Sequence, residues 1–317
     1  MKKSFKNIDR LRVCTMTGEL CRYFFVIAIT VVFCSCEKDI TISVKANKPL
    51  LVVEAYINND SANYNYVILS RSQDYYSTDF QSIPVSGATV SITAGTRLAD
   101  NSYNWDTSDK VLMKEANLPQ LPASFRSGIY FDPKLFANPA KTLKGVIGKS
   151  YLLEIEAAGK KYSAIASLIQ PVQIDSLTTG FPFTDDDGHS KVRMTNNYKD
   201  PDTLGNTQFY MWKYNDKRNY FGWGGFVRSR APGTDDLNNG EYIRLTHPQG
   251  FTVGDSINYS MASVTRDVYN FWDSFNKAKD NNGPFSTPVI LQSNIRGEDV
   301  TGCFSGFAIS SKSIIAK

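Results

Sequence analysis

Histidine is almost absent from this chain. His189 and His247 are the only two in 317 residues, so imidazole-based metal sites and proton relays have little material to work with. No H-E-x-x-H, G-x-S-x-G, Walker or dinucleotide-binding glycine pattern occurs, which removes the motif-bearing zinc peptidases, α/β-hydrolases, P-loop enzymes and nucleotide-dependent oxidoreductases. Cysteine is scarce where it would matter. Of the five, Cys14, Cys21, Cys34 and Cys36 crowd the N-terminus and Cys303 stands alone. One thiol cannot close an intrachain bridge. With no C-x-x-C partner and no neighbouring histidine, Cys303 reads as a small buried apolar residue.

No apolar run near the N-terminus is long enough to cross a bilayer. Tyr23 to Phe33 gives 11 residues, whereas a spanning helix needs about 20; a run of this length fits a secretory h-region. Ser35, Cys34 and Phe33 precede Cys36 in the manner of a relaxed lipobox, which predicts a lipoprotein signal over residues 1–35 and a lipid on Cys36. Six bases (Lys2, Lys3, Lys6, Arg10, Arg12, Arg22) and two acids (Asp9, Glu19) lie in that segment; subtracting them from totals of 35 and 31 leaves 29 of each. The chain from Cys36 onward is therefore neutral, without the global positive field that recruits nucleic acid. A start at Met16 would leave Arg22 almost alone as the basic flank.

A short polar tether, residues 36–47, precedes strand chemistry. Leu50 to Ile57 and Tyr64 to Ser70 read as a hairpin, with Tyr64, Tyr66 and Ile68 on one face. Pro84 to Ile92 places Ala88, Val90 and Ile92 toward a core, and further strands follow at Gly128–Tyr130, Ser150–Ile155 and Lys161–Ala164. The long stretch from Asp100 to Lys144 reads as an insertion with a strand near Lys110–Lys114. The order Pro-Val-x-Gly-Ala-x-Val-x-Ile, Gly-x-Tyr, Tyr-x-Leu-x-Ile, Gly-x-x-Tyr over residues 84–165 resembles carboxypeptidase-regulatory-like and transthyretin-like modules, which implies an immunoglobulin-like β-sandwich. The predicted fold is mainly β: a sandwich over 48–170, then a second β-rich domain over 171–317. Its strand candidates are Lys191–Thr195, Gln208–Tyr214, Glu241–Leu245 and Ser256–Val264. One amphipathic helix is expected over 266–279, where Val268, Phe271, Trp272 and Phe275 recur at helical spacing after Thr265; it would cover an open sheet end.

Three clusters are candidates for chemistry. His247, in Thr-His-Pro, reads as a surface-loop residue, with orientation of a nucleophile as the alternative. Asp185-Asp186-Asp187-Gly188 reads as a solvated turn; its spacing does not fit an EF-hand loop, so calcium would have to bind irregularly. Tyr220, Trp223 and Phe226 sit among Gly222, Gly224 and Gly225, where aromatic faces on permissive backbone suit a sugar or peptide, although aromatics also fill ordinary β-cores. No catalytic residue, metal ligand or cofactor is expected.

Leu51-Val52-Val53-Glu54 soon after the lipid position, Pro84 to Ile92, Pro171 to Ser176, Tyr269 to Phe275 and Ser293-Asn294-Ile295 before a glycine-bearing end together resemble the domain-of-unknown-function family 4249 (DUF4249) of Bacteroidetes lipoproteins. Here Ala55 replaces the usual glycine after Val-Val-Glu, and Gly302-Cys303-Phe304 replaces Gly-Tyr-Phe. The resemblance implies an outer-membrane lipoprotein, facing outward or the periplasm, often paired with a TonB-dependent receptor. The expected function is non-enzymatic: an accessory or binding component of TonB-dependent uptake, or a free-standing glycan- or peptide-binding surface lipoprotein.

Overall fold

The computed structural model describes residues 48–73, 77–116, 127–215, 233–236, 238–281, 287 and 289–317. The signal and tether with Cys36, and the cluster Tyr220, Trp223 and Phe226, lie outside the described residues.

Strands β1 (Leu51–Asn58) and β2 (Tyr66–Arg71) form the expected hairpin, and Leu51, Val53, Ala55 and Ile57 alternate inward as period 2 requires. They pack against β3 (Thr89–Arg97), β7 (Ser150–Ala157) and β8 (Lys160–Ser167), whose Val90, Ile92, Leu153, Ile155, Ala164 and Ala166 belong to the same core. Short strands β4 (Tyr103–Trp105), β5 (Val111–Glu115) and β6 (Ile129–Phe131) come from the insertion; β5 pairs with both β3 and β6 and so links the two sheets of the sandwich. Tyr130 fastens the edge: its hydroxyl donates to Val85 O at 2.9 Å and accepts from Ala88 N at 3.0 Å, across the turn at Gly87.

The second half adds β9 (Ser176–Thr184), β10 (Ser190–Lys199), β11 (Thr207–Tyr214), β12 (Gly233–Thr234), β13 (Tyr242–Phe251), β14 (Ser256–Val264) and β15 (Val300–Ile315), with helix α1 (Arg266–Asp280) between β14 and β15. The β11–β14–β15 sheet is covered on both faces. On one side Phe209, Met211, Ala262, Val264, Phe307 and Ile309 receive Val268, Phe271 and Trp272 of α1. On the other, Tyr210, Ile257, Tyr259 and Met261 pack against Val192, Met194 and Tyr198 of the β13–β10–β9 sheet. The helix therefore lies on a sheet face rather than over an open end. Trp272 anchors it by donating its indole N–H to Ser305 Oγ at 2.9 Å.

The division expected between 170 and 171 is not a break in the fold. Residues 47–317 form one compact unit. The first half of β15 runs parallel to β1, from Leu51 opposite Val300 to Asn58 opposite Phe307, while its second half runs antiparallel to β14. Phe304 of β15 and Ile295 also complete the core of the sandwich. One long strand thus joins both halves into one twelve-stranded sheet among the described residues, eleven strands in a continuous path and β4 paired to β3 beside it.

Candidate functional site

A concavity lies at the end of the sandwich where β3, β4 and the segment 132–149 meet, and it encloses about 720 Å³, within the usual range for ligand pockets. Its aromatic wall is built from strand geometry. Tyr103 and Trp105, two residues apart in β4, share a face and stack at 4.9 Å with 10° between planes. Trp105 lies over its ladder partner Gly95; a Cβ there would come 2.3 Å from the indole Cε3. Only glycine permits this approach.

The opposite wall, carrying Lys134, Lys141 and Lys144, is clamped by buried polar groups. Asp132, 1% exposed, accepts from Lys134 N at 2.9 Å and from Leu143 N at 2.7 Å. Asn65 donates to Leu143 O at 2.8 Å, and Gly145 N donates to Asn58 O at 2.8 Å. Backbone N–H bonds to a carboxylate are strong, so this segment, which carries only a helical turn at Lys134–Ala137 and a 3-10 turn at Pro139–Lys141, is held in place from beneath.

Four lysines, including Lys149, face two aspartates, Asp106 and Asp109, in the groove lining. Lys149 Nζ donates to Thr96 Oγ1 at 2.8 Å, whereas Lys134, Lys141 and Lys144 have no ion partner among the described residues. Asp106 is already occupied by the Ser108 hydroxyl and backbone N–H, which hold its carboxyl below the usual range. The groove is therefore positive. Two hydroxyls in its wall have unused capacity. Thr142 Oγ1 is buried and has no hydrogen-bond partner among the described residues. Tyr151 accepts from Val146 N at 2.7 Å, and no acceptor for its own proton is found among the described residues; burial pushes its pKa up and keeps that proton in place.

Two of the sequence-predicted candidates, His247 and the Asp185–Gly188 turn, lie elsewhere. His247 is buried, 2% exposed, in β13, not on a surface loop. Its Nε2 is 3.1 Å from the Tyr259 hydroxyl, which also accepts from Asn196 Nδ2 at 3.3 Å, and its ring lies 4.9 Å from that of Trp212. Burial lowers its pKa to about 4, so the imidazole is neutral at physiological pH. Its hydrogen-bond partner is a tyrosine whose own pKa is raised by burial, an arrangement that stabilises a polar core rather than activating a nucleophile. Nearby, Tyr198 and Tyr210 hydroxyls meet at 3.0 Å.

Asp185, Asp187 and His189 bring one ligand atom each within 4.8 Å of one another at the β9–β10 turn. Asp185 Oδ1, however, already accepts from Asp187 N and His189 N at 3.1 and 2.8 Å, as in a solvent-facing turn. Cys303 is buried beside Ser305, whose hydroxyl donates to its sulfur at 3.3 Å; burial pushes the thiol pKa far up, so it is a packing residue as expected.

A family model described as "Domain of unknown function (DUF4249)" matches residues 37–313. The chain belongs to the DUF4249 family. No curated protein matches it. Sequence reading of this DUF4249 chain missed the groove, although a signal existed: residues 133–149 hold four lysines and no acid, close after the aromatic pair at 103 and 105. Nothing in one sequence says that the two segments meet.

Proposed function

We propose that this protein is a lipid-anchored outer-membrane component that assists TonB-dependent uptake by binding, with the acyl group on Cys36 as its membrane attachment and no catalytic step of its own. The groove carries this reading: it is a solvent-open, positively charged concavity with polar and aromatic walls. The lipobox adds support, since the family match begins at Glu37, the residue after Cys36. The buried, neutral His247 and the buried Cys303 thiol add to it by serving the core. Among the described residues no helix is long and apolar enough to cross a membrane. Because one acyl chain binds weakly, two or three chains on Cys36 are expected.

The test is fractionation and crosslinked pull-down from native membranes, comparing wild type with Cys36→Ala. Wild type should sediment with the outer membrane and return a TonB-dependent receptor; Cys36→Ala should be released. A wild-type protein that retains no receptor after crosslinking removes the accessory role and leaves the free-standing glycan- or peptide-binding lipoprotein, which the same groove would serve. Loss of neither fraction nor partner in Cys36→Ala removes the anchor.

A further inference from the structure

We propose that the groove between β4 and the 132–149 segment is a binding site for an acidic oligosaccharide, one bearing uronate or sulfate groups. The inference rests on the binding reading above and names its ligand class.

Three observations converge on that chemistry. The first is charge: Lys134, Lys141 and Lys144 line one wall with no ion partner among the described residues, and of the two facing aspartates Asp106 is tied to Ser108. These exposed ammonium groups repel one another weakly through solvent, and an anion placed between them would be attracted to each. Lysine ammonium groups on flexible stems suit carboxylates or sulfates distributed along a chain better than a single planar bidentate anion, which favours arginine. The second is the aromatic wall. A half-buried Trp105, backed by Tyr103 and held against Gly95, offers an apolar platform of fixed orientation, which a bare phosphate or sulfate would not use but a sugar ring would. The third is hydrogen-bonding capacity. Thr142 Oγ1, buried without a partner, and Tyr151, with a proton to give, lie in the same wall; an unmet buried polar group costs free energy until something satisfies it. Sugar hydroxyls both donate and accept. The cavity of about 720 Å³ accommodates more than a single small ion.

The test is titration of the detergent-solubilised full chain with trigalacturonate, maltotriose and inorganic phosphate, followed by tryptophan fluorescence and calorimetry. Trigalacturonate should bind and weaken with added salt, as screening of exposed charges requires, and maltotriose and phosphate should bind at least about tenfold more weakly. Lys141→Glu/Lys144→Glu and, separately, Trp105→Ala should each weaken trigalacturonate by about tenfold or more, with circular dichroism and urea midpoints confirming that each variant is folded. Tyr220→Ala/Trp223→Ala/Phe226→Ala should bind as wild type. The proposal is overturned if trigalacturonate does not bind, if the lysine and Trp105 variants bind it unchanged, if maltotriose or phosphate binds equally well, or if only the triple variant loses binding. Receptor capture in the membrane pull-down is a separate readout, so loss of the glycan proposal and loss of the accessory reading are distinguishable.

Discussion

Gly302→Ala should be the most damaging single-methyl addition in the β1–β15 ladder. Gly302 sits opposite Val53 at φ +132°, and a Cβ there would lie 1.9 Å from Val53 O and 2.7 Å from Val53 C and N. Parallel strands stand about 4.8 Å apart, so the clash can be relieved only by parting them. The cost has three parts: about 1–3 kcal/mol for a non-glycine residue in that backbone region, about 1–3 kcal/mol for two weakened ladder hydrogen bonds, and about 1–3 kcal/mol for overpacking. The sum is on the order of 5 kcal/mol, a large share of the roughly 5–15 kcal/mol that holds a native protein together. Gly254→Ala is the control for backbone strain alone, since φ is +95° but nothing lies within 4 Å of its Cβ position; it should cost about 1–2 kcal/mol. Gly180→Ala, with neither positive φ nor a neighbour, should stay within about 0.5 kcal/mol. Urea unfolding followed by circular dichroism and tryptophan fluorescence measures all three. Because β15 belongs to both halves, the two signals should move together in Gly302→Ala. A Gly302→Ala loss within about 1 kcal/mol of the Gly254→Ala loss would refute the close-approach argument.

His247 imposes an acid limit on stability. Its folded pKa near 4 lies below the ordinary 6.5, so above pH 6.5 both states are neutral and it adds no pH dependence. As pH falls from 6.5 to 4 the unfolded chain takes up the proton first, and stability drops by up to about 3 kcal/mol. His247→Gln should flatten that part of a stability–pH curve; an unchanged slope refutes the assignment. Asp200, whose pKa is raised by burial and by Asp235 and Asp202, acts with the opposite sign, losing stability as pH rises, which is why the comparison must be between variants. Cys303 should resist iodoacetamide in native protein and react once urea unfolds it, and rapid native labelling would contradict its burial. Trp272→Ala should cost about 3–5 kcal/mol, read from the urea midpoint, with Trp272→Phe recovering the packing but not the bond to Ser305.

Strands with one buried face were legible because alternation carries the signal: β1, β3 and β14 begin or end within a residue or two of where apolar spacing places them. β15 was not. Its residues from Gly302 to Ala308 are buried without interruption, and a strand covered on both faces shows no period of 2. Gly302 and Gly306 are there because neighbouring backbone comes too close for a Cβ. The same reasoning accounts for His247. Thr-His-Pro looks like a loop, yet β13 is the outer strand of its sheet, where a missing N–H at Pro248 is tolerated, and the histidine faces the core. The 170/171 division failed because the contact that erases it joins positions about 250 residues apart. No local pattern encodes that pairing.

The distribution of unmet polar groups separates scaffold from site. Three buried side-chain atoms lack a partner among the described residues: Asn196 Oδ1, Gln208 Nε2 and Thr142 Oγ1. Asn196 is fully enclosed and Gln208 is 2% exposed within the strand layers, and Asn196 spends its amide N–H on Tyr259; these two sit where only the protein itself reaches. Thr142 is different, since it lines an open groove beside lysines that have no ion partner among the described residues. The frame around it is not loose. Asp132, Asn65 and Asn58 fix the lysine-bearing segment from beneath, and Gly95 fixes Trp105 from the other wall. A surface held this firmly has already lost the conformational freedom that binding would otherwise remove, and what remains unsatisfied on it is charge and hydrogen-bonding capacity. That combination is what a folded protein gains nothing from keeping for stability, and it is what a polar anionic ligand can use.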